Sequence, residues 1–243
     1  MESAASGKNG VRHGSEPALP GDLKISVFDL DRTLTRRPTY SAFLVFVAWH
    51  RSPLRLALLP LVVGLMAAYA MRLITRTRFK QLEHRVLLGR SLPGSEIRAL
   101  ADRFAAFVAS AWVSPQARQR IAQERSEGRV VVVASAANSI YLDPIARLLE
   151  IGHVVATQST WRGDVLLPDI DGQNCYGVAK RDMIEAYAAQ QGWMREAIHV
   201  RFFSDHLSDA PTFAWADEPI AVNPSGPLRA FAAERGWPIL DWG

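Results

Sequence analysis

Two aspartates one residue apart, Asp29 and Asp31, follow the apolar run Lys24–Phe28, and Thr33 stands two residues further on. Ser135 follows Arg129–Ala134 (RVVVVA), Lys180 opens a polar-to-helical transition, and Asp205 and Asp209 follow Ile198–Phe203. Each cluster stands after an expected strand or at a helix start. In an open parallel sheet the carboxyl ends of the strands form one rim, where ligands bind. Residues far apart in sequence would therefore converge. These residue types match the demands of phosphomonoester hydrolysis. An attacking carboxylate can form an acyl phosphate. A second acid protonates the leaving alkoxide and later activates water. Magnesium takes oxygen ligands and offsets repulsion between carboxylate and phosphate. A lysine and a hydroxyl can hold phosphoryl oxygens as charge develops.

The elements that would position these groups alternate along the chain. Lys24–Phe28 reads as a buried strand. Arg129–Ala134 is β-branched without alternation, as expected of a strand covered on both faces. Helix is expected over 96–127, Ser139–Leu149, Lys180–Gln191 and Asp209–Trp215. Further strands are expected at His153–Thr157, Ile198–Phe203 and Ile220–Val222, with a hairpin or flap over 158–177. The expected fold is α/β, a doubly wound and largely parallel sheet with an inserted helical cap. Its parts would be a tail at 1–22, a catalytic core at 23–35 and 116–243, and a cap at 36–115. The tail is rich in Gly, Ser, Ala and Pro and lacks the apolar stretch of a signal peptide.

Among 243 residues, 49% are hydrophobic and 21% charged, which excludes a wholly disordered chain. The single cysteine, Cys175, excludes an internal disulfide or a paired-cysteine metal site and fits a reducing compartment. Charge is unevenly spread. Residues 36–90 carry a net +9, against −5 for the rest. Within that basic segment, the 16 residues Leu56–Met71 hold no charge. At ~1.5 Å per residue they would reach about 24 Å, short of a bilayer span, and Pro60 and Gly64 interrupt them. Three placements stay open: a buried cap hairpin, a helix pair on an anionic membrane surface, or a transmembrane hairpin. The expected location is cytoplasmic, peripheral at the inner face of the membrane if 40–90 meets lipid. Nucleic acid is not expected as a partner, because the basic segment is interleaved with aliphatic residues and the seven tryptophans are scattered.

The motifs Asp29–Thr35 (DLDRTLT), Ser135-Ala136, Lys180 and Ser204–Asp209 (SDHLSD) resemble those of the haloacid dehalogenase superfamily. Their spacing is similar to its phosphoserine-phosphatase-like branch, subfamily IB. Asn174–Gly177, Ala221–Pro224 and Arg235–Leu240 extend the likeness, which includes the CicA-like group. The basic, leucine-rich cap is similar to the phosphatidylglycerophosphatase C type. The resemblance implies Asp29 as nucleophile and metal ligand, with Asp31 as general acid/base whose carbonyl also meets the metal. It implies Ser135 and Lys180 at the phosphate, Asp205 and Asp209 at or behind Mg2+, and Thr33 at the loop that follows the first strand. Thr33, Ser135 and Lys180 would together form the phosphate-binding group. Departures stand at Arg32 (commonly Gly), His206 (often Ser) and Ala210 (often Leu). The expected activity is Mg2+-dependent phosphomonoester hydrolysis through an aspartyl-phosphate, on a lipid-linked phosphate such as phosphatidylglycerophosphate. A soluble phosphatase of the phosphoserine type and a catalytically quiet docking protein are the alternatives, and oligomeric state is left open.

Overall fold

The computed structural model describes residues 23–242, so the expected tail at 1–22 lies outside the described residues. The chain enters through β1 (Leu23–Phe28), which becomes the middle of the sheet. Residues Leu34–Arg36 then leave the sheet, and Trp112–Ser114 return beside them. Arg36 N–H donates to the Trp112 carbonyl at 2.8 Å and Ser114 N–H to the Leu34 carbonyl at 3.2 Å. Between these paired stems lie α1 (Tyr40–Arg51), a 3-10 turn (Pro53–Leu58), α2 (Leu59–Ala70), α3 (Arg76–Leu87), β2 (Leu92–Pro93) and α4 (Gly94–Ala111).

The helix expected over 96–127 is two helices, α4 and α5 (Pro115–Ser126). Pro115 lacks the N–H a continuing helix needs. Ser114 caps the new start by accepting from Ala117 N–H at 3.0 Å. The chain continues through β3 (Val130–Asn138), α6 (Ser139–Leu148), β4 (His153–Arg162) and β5 (Val165–Asp171). It then runs through α7 (Val178–Gln190), β6 (Ile198–Ser204), α8 (Ala210–Trp215), β7 (Glu218–Val222), α9 (Gly226–Glu234) and β8 (Ile239–Leu240).

The sheet order is β2-β5-β4-β3-β1-β6-β7-β8. The six strands from β4 to β8 in this order are mutually parallel, and β5 and β2 add an antiparallel edge. From β1 the chain winds outward first to β3 and β4, then to β6, β7 and β8, so the fold is the doubly wound α/β arrangement. The hairpin expected over 158–177 is β4–β5, with β4 extending five residues past Thr157.

The valine run of β3 shows why the sheet must be covered twice. Val131 and Val133 enter one apolar cluster with Phe104, Tyr141 and Leu142 from α4 and α6. Val132 and Ala134 enter the other, with Ile184, Phe213 and Leu228 from α7, α8 and α9. Successive side chains point to opposite faces, so both must be apolar.

The inserted segment is not uniformly buried. α1 buries Phe43, Leu44, Val47 and Ala48, whereas α2 buries only Val62. Of the 18 residues Pro53–Ala70, 6% are buried. Leu54 is 88% exposed and Val63 63% exposed. The buried-hairpin placement therefore does not hold for this stretch: α2 rests on α3, and nothing among the described residues covers its outer side.

Candidate active site

The register of the sheet sets the site. Phe28 of β1 lies level with Val133 of β3 and Phe203 of β6, so the residues that follow converge on one rim. Beneath that rim the Phe28 and Phe203 rings stack at 4.2 Å. Asp29 N–H donates to the Phe203 carbonyl at 2.9 Å, which fixes the first aspartate against the neighbouring strand. Beyond Ser135 the β3–β4 register shifts, and Ser135 Oγ accepts from Ala137 N–H at 3.1 Å. Lys180 comes from the first turn of α7. Gly177 before it adopts φ +62°, ψ −130°, a backbone region that favours glycine.

Asp29, Asp31, Ser135, Lys180, Asp205 and Asp209 line one open cavity of about 280 Å³. Lys180 is only 2% exposed. Its ammonium donates to Asp29 Oδ1 at 2.7 Å and to Asp209 Oδ2 at 2.6 Å. Ser204 Oγ donates to the same Asp209 oxygen at 2.6 Å. The adjacent Arg181 is instead tied to Asp182, away from the cavity. Asp31 is oriented by Thr39, whose N–H and Oγ1 approach Asp31 Oδ1 at 2.8 and 2.7 Å. Thr33 is buried, its hydroxyl has no partner, and it does not line the cavity.

Burial dominates the electrostatics. It pushes the Asp29 carboxyl above its ordinary range, with Lys180 opposing and Asp209 and Asp31 reinforcing the rise. Asp205 is pushed up to about 8, first by burial and then by Asp29. Asp31 is also raised by burial, against the two Thr39 hydrogen bonds. Burial pulls the Lys180 ammonium down, but Asp209 and Asp29 outweigh it and hold the group above its ordinary range. Three carboxylates around one lysine are thus short of positive charge.

That shortage bears on metal binding. Asp209 Oδ1 is buried with no hydrogen-bond partner. Among the described residues, no set of three or more His, Cys, Asp or Glu side chains stands ready-made around a metal position. Magnesium does not need such a cage. It keeps several waters and takes one or two carboxylates plus substrate phosphate. The orphaned oxygen and the crowded carboxylates fit a hard, hydrated divalent cation.

The sequence reading missed Thr39, Arg76 and Tyr176. The Arg76 guanidinium lies 4.1 Å from the centre of the Tyr176 ring, and both residues line the cavity. Thr39 stands just ahead of α1, but its hydroxyl turns to Asp31 and does not cap the helix; nothing in sequence marked that contact or Arg76. Two departures have local explanations. Arg32 has φ +62°, the left-handed region where glycine is the ordinary occupant. His206 caps the short turn Leu207–Asp209, accepting from Ser208 N–H at 3.1 Å.

Residues 26–214 match the haloacid dehalogenase-like hydrolase family. The chain belongs to this family. It is 31% identical over 153 residues to a probable phosphatase of Mycobacterium tuberculosis, a match covering 61% of this chain and 50% of that protein. The chain thus spans about half the length of the curated relatives it matches first. A Bordetella pertussis protein of unknown function superposes with a TM-score of 0.83, at 24% identity, over 91% of this chain and 99% of that one. A phosphoserine phosphatase carrying a phospho-aspartyl intermediate analogue superposes at 0.61, with 18% identity over 91% and 94%. Both likenesses show the shared α/β fold.

Proposed function

We propose that this chain is a phosphomonoester hydrolase that works through an aspartyl-phosphate on Asp29. The observation that carries the reading is Lys180, buried and bridging Asp29 and Asp209 at the carboxyl rim of a parallel sheet. Kinship with a protein named a probable phosphatase supports it. Lys180 engages Asp29 Oδ1, which leaves Oδ2 to attack phosphorus. The bond from phosphorus to the ester oxygen breaks as Asp31 gives its proton to the departing alkoxide. Thr39 holds Asp31 Oδ1, so Oδ2 is the proton-transfer oxygen. In the second half Asp31 takes a proton from water, whose oxygen attacks phosphorus and releases phosphate and the Asp29 carboxylate. Lys180 and Ser135 hold phosphoryl oxygens in both halves.

Mg2+ is the cofactor we assign. Asp29 and Asp205 would hold it with the Asp31 carbonyl, and Asp209 would steady its waters. When bound, it offsets the negative charge of the carboxylates and phosphate.

The substrate we propose is a lipid-linked phosphate within the phosphoserine-phosphatase-like branch, met at an anionic membrane surface. The exposed side of Pro53–Ala70 favours this over the soluble alternative. Arg72 follows it and Arg51, paired with Glu96, precedes it, and anionic headgroups attract an apolar face bordered by basic residues. A second cavity of about 170 Å³ shares Asp31 and Arg76 with the first and is walled by Tyr69 of α2 and Phe79 of α3. The leaving-group side of Asp31 thus faces the same helix pair that carries the exposed apolar surface.

The test is phosphate release from phosphatidylglycerophosphate in mixed micelles, phosphoserine and an aryl phosphate, with and without Mg2+. Mg2+-dependent release, lost in Asp29→Asn and fastest with the lipid, is expected. Release favouring phosphoserine overturns the lipid assignment alone. Release undiminished in Asp29→Asn overturns the mechanism.

A further inference from the structure

Lys80 is a cap residue whose charged end lies in the core. It stands in α3 and is 4% exposed. Its ammonium donates to the Ala136 carbonyl, next to Ser135, and to Asn174 Oδ1 at 2.8 Å. The face of the Tyr40 ring lies 4.6 Å from the nitrogen. Thr157 Oγ1 of β4 joins the same cluster, 3.1 Å from both the Ala136 carbonyl and Asn174 Oδ1. It also accepts from Cys175 N–H at 3.1 Å. Among the described residues Lys80 makes no ion pair within 4.0 Å, which is unusual for a buried ammonium.

Both acceptors sit beside groups the reaction needs. Ala136 follows Ser135 at the carboxyl end of β3. Asn174 opens the Asn174–Gly177 turn that leads into α7 and Lys180. We propose that Lys80 is a positioning residue, a latch that locks the Ser135 end of β3 and the Lys180 turn together when cap helix α3 is seated. This role deepens the phosphatase reading and rests on Ser135 and Lys180 as phosphate-binding groups. A buried lysine is well suited to the task, because it must find oxygen acceptors or leave the core. The acceptors come from two separate segments, the end of β3 and the Asn174 turn, so the cap seats fully only when both are in place. Each segment in turn loses a donor when the cap lifts.

The experiment pairs Lys80→Met, which keeps stem length and removes the ammonium, with Asn174→Leu and the double variant. Hydrogen–deuterium exchange and aryl-phosphate turnover are both read, with Asp29→Asn as control. Each single variant is expected to exchange faster at residues 135–138 and 172–177, with β7 unchanged. Each is expected to lose about ten- to a hundredfold in kcat, with KM nearly constant, since small misplacements of reacting groups cost rates on that scale. The double variant should be no slower than Lys80→Met alone, because that change already removes the Lys80–Asn174 bond that Asn174→Leu breaks. Wild-type exchange in both segments, or losses that multiply in the double variant, would overturn the latch. Should Lys80→Met fail to fold, Asn174→Leu carries the same comparison. Absence of turnover in wild type would overturn the phosphatase reading, while the exchange data would still decide the latch.

Discussion

Lys180→Met should destabilise the fold in a pH-dependent way. The ammonium lies 2.7 Å from Asp29 Oδ1 and 2.6 Å from Asp209 Oδ2, and all three side chains are buried. Removing one partner of a buried ion pair costs about 3–5 kcal/mol, because the remaining charge is left uncompensated. For a chain of this size each kcal/mol moves Tm by about 2–4 °C, so a fall of roughly 6–20 °C is expected. The orphaned Asp29 carboxylate can escape by binding a proton, which sets the pH sign. Burial already raises Asp29, and losing Lys180 raises it further. A carboxyl whose folded pKa exceeds its unfolded value takes up protons on folding, so stability falls as pH rises between the two values. The fall in Tm should therefore be largest near pH 8 and smaller near pH 5. Thermal unfolding of metal-free wild type and variant, followed by circular dichroism at both pH values, reads this directly. A fall below about 2 °C at pH 8, corresponding to under ~1 kcal/mol, would refute the reasoning. So would equal falls at the two pH values.

The same carboxylates govern metal binding. Mg2+ should raise the Tm of wild type more at pH 8 than at pH 5, because protons compete for the raised Asp29 and Asp205 groups, and scanning calorimetry reads the two increments. At the membrane face, replacing Leu61, Val63 and Met66 together with Gln should abolish flotation with anionic vesicles. Aryl-phosphate turnover should be retained; unchanged flotation would show that this face does not meet lipid. Away from the rim, buried Glu124 pairs with Arg120 at 2.6 Å, Arg129 at 3.1 Å and Arg201 at 2.7 Å. Glu124→Leu strands the buried Arg129 and should cost about 3–5 kcal/mol in urea unfolding.

Much of the site was readable because its residues follow strands with a strong local signature. The unbroken valines of β3 demand a sheet covered on both faces, and such a sheet has one carboxyl rim. Asp29, Ser135 and Asp205 then converge by topology alone. Lys180 was harder, since it shares a helix start with Arg181, and the Gly177 turn decides which side chain enters. Pro115 and the capping Ser114 mark the break between α4 and α5, but the residues past them are good helix formers, so a helical reading runs on. The apolar run of α2 reads identically whether neighbours cover it or not; its exposure depends on how α3 and α1 pack. Lys80 carried no signal, because its acceptors are a backbone carbonyl at the end of β3 and an asparagine, both distant in sequence.

The central claim is nucleophilic attack by Asp29, and trapping the covalent enzyme tests it most directly. Wild type quenched during turnover of a radiolabelled phosphomonoester with Mg2+ should carry hydroxylamine-labile label on the peptide holding Asp29. Asp29→Asn should carry none. Label at another residue, or turnover by Asp29→Asn at the wild-type rate, would contradict the account.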